Sequence, residues 1–262
     1  MHQYLFFIGN FPIRLYGIFF SLGIISGCIT AYFLLKKDRQ GWESHMFDLG
    51  LVIAFAGIVG GRLWDVFFFD WEYYHNHLLE IPYIWQGGMA IQGGIIFACI
   101  AAYFYLKKHQ IPVLPFADTV TPGIILGQAI GRIANFMNGD AFGHPTGQDF
   151  GLLYPDTTLA YHTYGAQPLW PAEVWECQGD LLIFVLLLWY GCKTRAEGTT
   201  FCLYIMFYSL LRFFLENYRG DYGTLALGLK SAQLTSLAAF AGAFILFLYF
   251  HFKYKSKSGI SE

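Results

Sequence analysis

The sequence predicts an all-α membrane protein, a bundle of seven transmembrane helices with an outer-face loop cap, the N-terminus outside and the C-terminus in the cytoplasm. Composition, the spacing of apolar stretches and the placement of basic residues predict it. Of 262 residues, 56% are hydrophobic and 13% charged, whereas soluble domains carry about 25% charged residues. Aromatics reach 20%, with 27 Phe and 18 Tyr. No long polar block is present in which a separate soluble domain could fold. The expectation is therefore one polytopic domain over residues 1–262. A net charge of −2 says nothing about nucleic acid, and no nucleic-acid partner is expected.

About twenty apolar residues span a bilayer core as a helix. Such stretches run over 14–35, 48–69, 88–106, 114–135, 173–191, 199–218 and 231–251, the fourth and sixth being the least apolar. Between the fourth and fifth lies the one long loop, 136–172. It holds four of the nine prolines and many turn residues, so irregular structure is expected there.

Basic residues give the orientation. Lys36, Lys37 and Arg39 follow the first span, Lys107 and Lys108 the third, Lys193 and Arg195 the fifth, and Lys253, Lys255 and Lys257 the seventh. Cytoplasmic loops are the ones enriched in Lys and Arg, so that side is cytoplasmic. The N-terminus and the 70–86, 136–172 and 219–230 loops then face outward. The N-terminal stretch lacks a basic region and a small-residue cleavage site, so a removable signal peptide is not expected. Cys28, Cys99, Cys177, Cys192 and Cys202 lie in or beside apolar segments with no CxxC or His/Cys cluster. They read as packing residues, and no metal is expected.

The remaining basic residues are the informative ones. Arg14, Arg219 and Lys230 sit at outward ends. Arg62, Arg132 and Arg212 fall inside or at the outer end of spans two, four and six, where insertion costs about 2.5–3.5 kcal/mol each at a helix centre. Arg212, Glu216 and Arg219 share one helical face, so Arg212 and Glu216 can pair. That pair reads either as a buried ion pair ordering two helices or as a guanidinium aimed at a phosphate. Gln128, Arg132 and Asn135 also share a face, followed by Asn138 and a Gly139–Asp140 turn. A guanidinium is a rigid fork suited to a phosphodiester. Asn135 and Asp140 could instead cap a helix end, which leaves Arg132 unexplained.

In span two, Arg62 and Asp65 stand at i, i+3, and a structural salt bridge is the better reading. Two Gly-Gly pairs flank Gln92, allowing tight packing or a broken helix. Tyr16 is either an interfacial aromatic or a headgroup contact. Glu173 complements the dipole of the fifth span's first turn, whereas Glu176, one turn in, is poorly explained as a cap. Asp118 reads as structural. Together these residues describe an outer-leaflet cavity for an anionic headgroup, with aromatic and aliphatic walls for acyl chains. No Walker loop, HExxH or GxSxG occurs, and no cofactor is implied.

The stretch GRIANFMNGDAFG, Gly131–Gly143, resembles the signature of the bacterial prolipoprotein diacylglyceryl transferases. Five further stretches are similar to that family in order and spacing: RLYG at Arg14, GGRLWDVFF at Gly60, IWQGGMAIQGG at Ile84, PAEVWE at Pro171 and LLRFFLENYR at Leu210. Seven spans with the N-terminus outside is also that family's topology.

The resemblance implies a multi-pass protein of the bacterial cytoplasmic (inner) membrane with its site toward the outer leaflet. Its activity would be transfer of a diacylglyceryl group from phosphatidylglycerol to the lipobox cysteine thiol of a preprolipoprotein. A thioether forms and glycerol phosphate leaves. Arg132, Arg212 and Gln92 take the catalytic positions. Tyr16, Arg62, Asn135, Asn138, Asp140, Gly143, Glu176, Glu216 and Arg219 take the substrate contacts. At Gln92 well-studied members carry a histidine, and glutamine cannot accept a proton at neutral pH. The base is then another group, or the arginines lower the thiol pKa enough to need none. Asp140 stands for the family's glutamate, and Trp170 for a histidine. The alternative is an anionic-lipid or anion transporter or scramblase using the same arginines, although no internal repeat of the transporter kind is evident. A member that binds lipoproteins without catalysis is a weaker third reading, suggested by Gln92.

Overall fold

The computed structural model describes residues 3–9, 11–38, 40–191, 196–220, 224–226 and 228–258. Side chains of 8, 11, 86, 224–226 and 257–258 are not described. Arg39, Cys192, Lys193, Arg195 and the Lys257 side chain therefore lie outside the described residues. The chain divides into two compact units, Met1–Leu34 with Ala117–Glu262, and Leu35–Phe116.

The long helices are α1 (Leu15–Lys37), α2 (Met46–Trp64), α4 (Ile91–Lys108), α5 (Val113–Asn138), α7 (Ala172–Gly191), α8 (Thr199–Leu215) and α9 (Ser231–Ser258). They coincide with the seven predicted stretches to within a few residues, α9 running further. Two short helices, α3 (Trp71–Tyr74) and α6 (Leu159–Tyr164), lie in the loops. Among the described residues, four segments are long and apolar enough to cross a membrane: Leu15–Lys37, Trp42–Phe69, Val113–Asn138 and Ser231–Ser256. Helix α8 is apolar but shorter. Helix α7 carries Glu173, Glu176 and Asp180 in its first half, which interrupts its apolar run. Large apolar side chains face outward along these helices: Phe55 is 73% exposed, Ile245 66% and Leu182 61%. In water so much contiguous apolar surface would drive association; in lipid it is solvated. This is a helical membrane protein.

The structure departs from the all-α expectation at two points. Strands β1 (Tyr4–Ile8) and β2 (Phe11–Arg14) pair antiparallel, with Phe6 opposite Ile13. Strands β3 (Thr224–Ala226) and β4 (Leu229–Lys230) form a second small hairpin. The first arises because YLFFIGNFPIR joins two strand-forming runs through a glycine, and Gly9 takes the left-handed φ of +60° that such turns require.

In the larger unit, α1 and α5 pack through glycines. A Cβ built on Gly23 would sit 2.7 Å from the Gly127 carbonyl oxygen, and one on Gly27 2.7 Å from that of Gly123. The pairing of 23 with 127 and 27 with 123 makes the helices antiparallel. Small-xxx-small faces of this kind bring backbones together where lipid offers no hydrophobic drive. At the start of α8, the Asp118 carboxylate accepts from the backbone N–H of Gly198 (2.7 Å) and Phe201 (2.9 Å). It thus satisfies donors that a helix N-terminus leaves open.

The smaller unit uses the same device. Gly57, Gly60 and Gly61 of α2 face Gly94, Gly93 and Ala90 around the start of α4, and Ala90 N–H donates to the Gly61 carbonyl at 3.0 Å. The Gly-Gly pairs around Gln92 therefore serve tight packing. A π-helical turn, Asp65–Phe69, continues α2.

Candidate active site

The larger unit gathers its charged residues around one carboxylate. Glu176 lies on the first turns of α7, fully buried. Its Oε1 is 2.9 Å from Arg132 Nη2 of α5. Its Oε2 is 3.2 Å from Arg212 Nη1 of α8 and 3.4 Å from Arg219 Nη1. Tyr208 donates its hydroxyl to Oε1 at 3.1 Å and accepts from Arg132 Nη2 at 3.2 Å. Three arginines from two helices and the turn after α8 thus converge on one acid.

Glu216 is the second hub, also fully buried. Arg212 Nη2 reaches its Oε2 at 2.8 Å, Arg219 Nε lies 4.0 Å from the same atom, and Lys230 Nζ lies 3.8 Å from Oε1. Lys230 also donates to the backbone carbonyls of Glu216 (2.8 Å) and Arg219 (2.6 Å), closing the end of α8. Side-chain exposure grades the arginines: 19% for Arg132, 14% for Arg212 and 5% for Arg219.

The signature stretch lies beside this knot. Asn135 accepts from Arg132 Nη1 at 3.4 Å and donates to Asp140 Oδ1 at 2.5 Å. Asn138 donates to Asp140 Oδ2 at 2.6 Å. Gly139 at φ +71° and Ala141 at φ +58° turn the chain sharply after α5. Left-handed backbone at a non-glycine residue is a small strain that the surrounding bonds must hold. Tyr16, at the start of α1, is in electrostatic reach of Asp140 and Arg132.

The 136–172 loop is ordered as a cap. Phe142, Tyr154, Ala160 and Leu169 form its apolar centre. Gly143 bridges to Arg219, His144 N–H donates to the Tyr218 carbonyl at 2.9 Å, and Gly220 N–H to that of Phe142 at 3.1 Å. A side chain at Gly143 would collide with the Trp170 backbone. Its role is a close approach that keeps the cap on the turn carrying Arg219. Tyr154 donates to Glu173, tying the cap to α7. Burial first, and the adjacent Glu173 carboxylate second, hold the Tyr154 hydroxyl far above its ordinary pKa.

The expected site residues thus divide. Tyr16, Arg132, Asn135, Asn138, Asp140, Gly143, Glu176, Arg212, Glu216 and Arg219 all belong to the larger unit, in the connected set just described. Arg62 and Gln92 belong to the smaller unit. Arg62 is 3% exposed and makes no ion pair with Asp65. It donates to the backbone carbonyls of Ile81 (2.8 Å), Gly87 (2.6 Å), Gly88 (3.1 Å) and Glu80 (3.0 Å) and stacks on Tyr74, 4.9 Å from the ring centroid. Four carbonyls outcompete one carboxylate for a planar fork with five donors, so Arg62 is a clamp on the 80–88 loop. Gln92 is exposed on α4.

Sequence reasoning left out Tyr208, Asp180 and Tyr154, and gave Lys230 no role beyond an outward end. Two carried a signal. Tyr204, Tyr208, Arg212 and Glu216 recur every fourth residue on α8, and Asp180 stands one turn after Glu176. Lys230 and Tyr154 reach the site across the chain, where spacing gives no sign of them.

A family model described as prolipoprotein diacylglyceryl transferase matches residues 3–249. The chain belongs to that family. A phosphatidylglycerol–prolipoprotein diacylglyceryl transferase of Clostridium botulinum (strain Langeland) is 35% identical over 238 residues, 90% of this chain and 92% of the relative. Those of Staphylococcus saprophyticus and Clostridium kluyveri are 36% and 35% identical, over 88% and 93% of this chain and 82% and 94% of their own. The six stretches that resemble the diacylglyceryl transferases thus sit in a chain that matches the family almost end to end. In this family member the signature-like stretch forms the turn beside Arg132, and the arginine–glutamate stretch supplies Arg212 and Glu216.

Proposed function

We propose that the Glu176 knot is where this transferase moves a diacylglyceryl group from phosphatidylglycerol to a prolipoprotein, the acceptor being the lipobox cysteine thiol. The observation that carries the reading is a pair of partly open guanidiniums, Arg132 and Arg212, fixed by one buried carboxylate at 2.9 and 3.2 Å. In the reaction sulfur attacks the glycerol carbon that bears the phosphate. The S–C bond forms, the C–O bond breaks, and glycerol phosphate leaves with one more negative charge than the diester carried. Donors already oriented toward developing charge are the largest single source of such catalysis. Asn135, Asn138 and Asp140 shape the headgroup cradle, Gly143 lets the cap close beside it, and Tyr16 contacts the lipid. Glu216 orients Arg212 and Arg219. Arg62 clamps the 80–88 loop of its own unit, and Gln92, at the position where the family resemblance implies a catalytic residue, cannot accept a proton.

The topology is read as one polytopic domain of seven spans in the bacterial cytoplasmic membrane. The positive clusters support a C-terminus inside and a site toward the outer leaflet. The seven helices and the absence of a long polar stretch in the sequence support that reading. Family and relatives are named as transferases, and nothing favours transport.

The test is transfer in vitro. Purified protein, phosphatidylglycerol and a lipobox peptide are mixed and the peptide's mass followed, with Arg132→Ala and Gln92→His in parallel. A diacylglyceryl mass gain in the wild type, reduced about 100-fold or more in Arg132→Ala, is the expected result. No gain in the wild type refutes the reading. Faster transfer by Gln92→His would locate a missing base at that position.

A further inference from the structure

On the transferase reading, the thiol must lose a proton as the S–C bond forms, and Gln92 cannot take it. Helices α5 and α7 run antiparallel: Arg132 meets Glu176, and Ile125 packs with Ile183 deeper in the bundle. The next rung inward from Arg132–Glu176 is Gln128 with Asp180. Gln128 gives its Oε1 to the Tyr204 hydroxyl at 3.0 Å, while its Nε2 is buried without a hydrogen-bond partner. Arg132 Nε is buried and unpartnered too. Asp180 is fully buried, and neither of its oxygens accepts a hydrogen bond. The Gln128 amide acts on it as a hydrogen-bonding neighbour without making a bond of full geometry. Every other carboxylate described around the knot is engaged: Glu176 and Glu216 in ion pairs, Asp140 by two asparagine amides, Glu173 by Tyr154.

We propose that Asp180 receives the proton of the acceptor thiol, through a water that accepts from the unpartnered Gln128 amide, donates to Asp180 and keeps one lone pair for the thiol proton. Buried polar atoms of opposite kind left without partners on neighbouring side chains are a usual signature of an ordered water. The charges balance through the step. When the C–O bond breaks, the leaving phosphate gains a second negative charge. The thiol proton arriving on Asp180 removes one, so the buried site keeps the same total charge throughout. A phosphate monoester has a second pKa of about 6, so departing glycerol phosphate carries the proton away and restores the carboxylate. The groups facing Asp180 are Glu176 and Cys177 on its own helix, Gln128 and Arg132 on α5, and Tyr208 and Arg212 on α8.

The test compares wild type, Asp180→Asn and Asp180→Glu with two lipobox peptides, one carrying cysteine and one selenocysteine. A selenol is already ionised at neutral pH and needs no acceptor. Asp180→Asn should slow kcat for the cysteine peptide about 100-fold or more, leave KM for phosphatidylglycerol within about threefold, and abolish the fall of kcat toward acid pH. The selenocysteine peptide should restore its rate to within about threefold of wild type, and Asp180→Glu should keep the acid limb. Equal slowing of both peptides, or slowing of neither, overturns the proposal and leaves Asp180 a packing residue. If Asp180→Asn does not fold, an Asp180→Glu variant without an acid limb overturns it equally. A wild type that transfers to neither peptide overturns the transferase reading itself, a result separate from the others.

Discussion

Replacing Glu176 with glutamine keeps the side chain's size and removes its charge, and the three arginines on it are not equally dependent. Arg212 retains Glu216 at 2.8 Å, and Arg219 retains Glu216 at 4.0 Å with its carbonyl held by Lys230. Arg132 loses the one carboxylate that ion-pairs with it among the described residues, keeping Tyr208 at 3.2 Å and Asn135 at 3.4 Å. The loss therefore concentrates on Arg132. A hydrogen bond to a charged partner contributes about 1.5–3 kcal/mol. At the upper half of that range the placement of Arg132 weakens by about 2–3 kcal/mol, or about 30- to 150-fold in rate. The peptide mass assay reads this as a loss in kcat, because the unpaired guanidinium still attracts a phosphate but no longer holds the geometry in which it stabilises the leaving group. Glu176→Gln activity within about threefold of wild type would refute the hub role, since it would mean that Arg132 is placed by something other than this carboxylate.

Three other substitutions test what builds the site. Gly23→Leu forces a side chain into the Gly127 carbonyl, 2.7 Å from an ideal Cβ, and should lower thermal stability in detergent by about 1–3 kcal/mol, the usual cost of overpacking. Asp118→Ala removes two bonds to the start of α8 and should cost about 0.5–2 kcal/mol while leaving transfer at its wild-type rate. Tyr154→Phe strips Glu173 of its hydroxyl donor inside a buried site. It should destabilise the cap by about 1–3 kcal/mol, read as faster proteolysis within 139–170. Because burial raises the Tyr154 pKa so far, that donor stays protonated, and the cap's protease resistance should not fall as pH rises toward 10, the usual tyrosine value.

Element positions were legible because apolar length is a local property. Each predicted stretch became a helix, and Asp118 and the glycines of α2 and α4 took structural roles that their neighbours foretold. The hairpins escaped because YLFFI and FPIR are too short to be told from the ragged start of a helix by periodicity. Arg62 was misread for a related reason. An acid three residues away is visible in sequence, while the carbonyls of Ile81 and Gly87 become acceptors only once the 80–88 loop folds back. The same distinction governs the site. Arg212 with Glu216 lies within one helix and could be read from spacing. That Glu176 of α7 binds arginines of α5 and α8 could not, because the register between helices is set by tertiary packing.

The exposures order the arginines by task. A group that grips substrate must keep some surface, and a group that shapes the site need not. Arg132 and Arg212 keep 19% and 14% of their side chains open, Arg219 only 5%. Arg219 is also bridged through its backbone to Gly143 of the cap and bonded at its carbonyl to Lys230. On the proposed reading, Arg132 and Arg212 hold the phosphate, while Arg219 ties cap and helix to the two acids that aim them. Each fork is crossed by at least two fixed acceptors before any lipid arrives, so little reorganisation remains when charge develops on the leaving phosphate. Electrostatic catalysis requires that condition of its donors. Lysines could not meet it, because a single ammonium does not span an acid and a hydroxyl as a planar fork does.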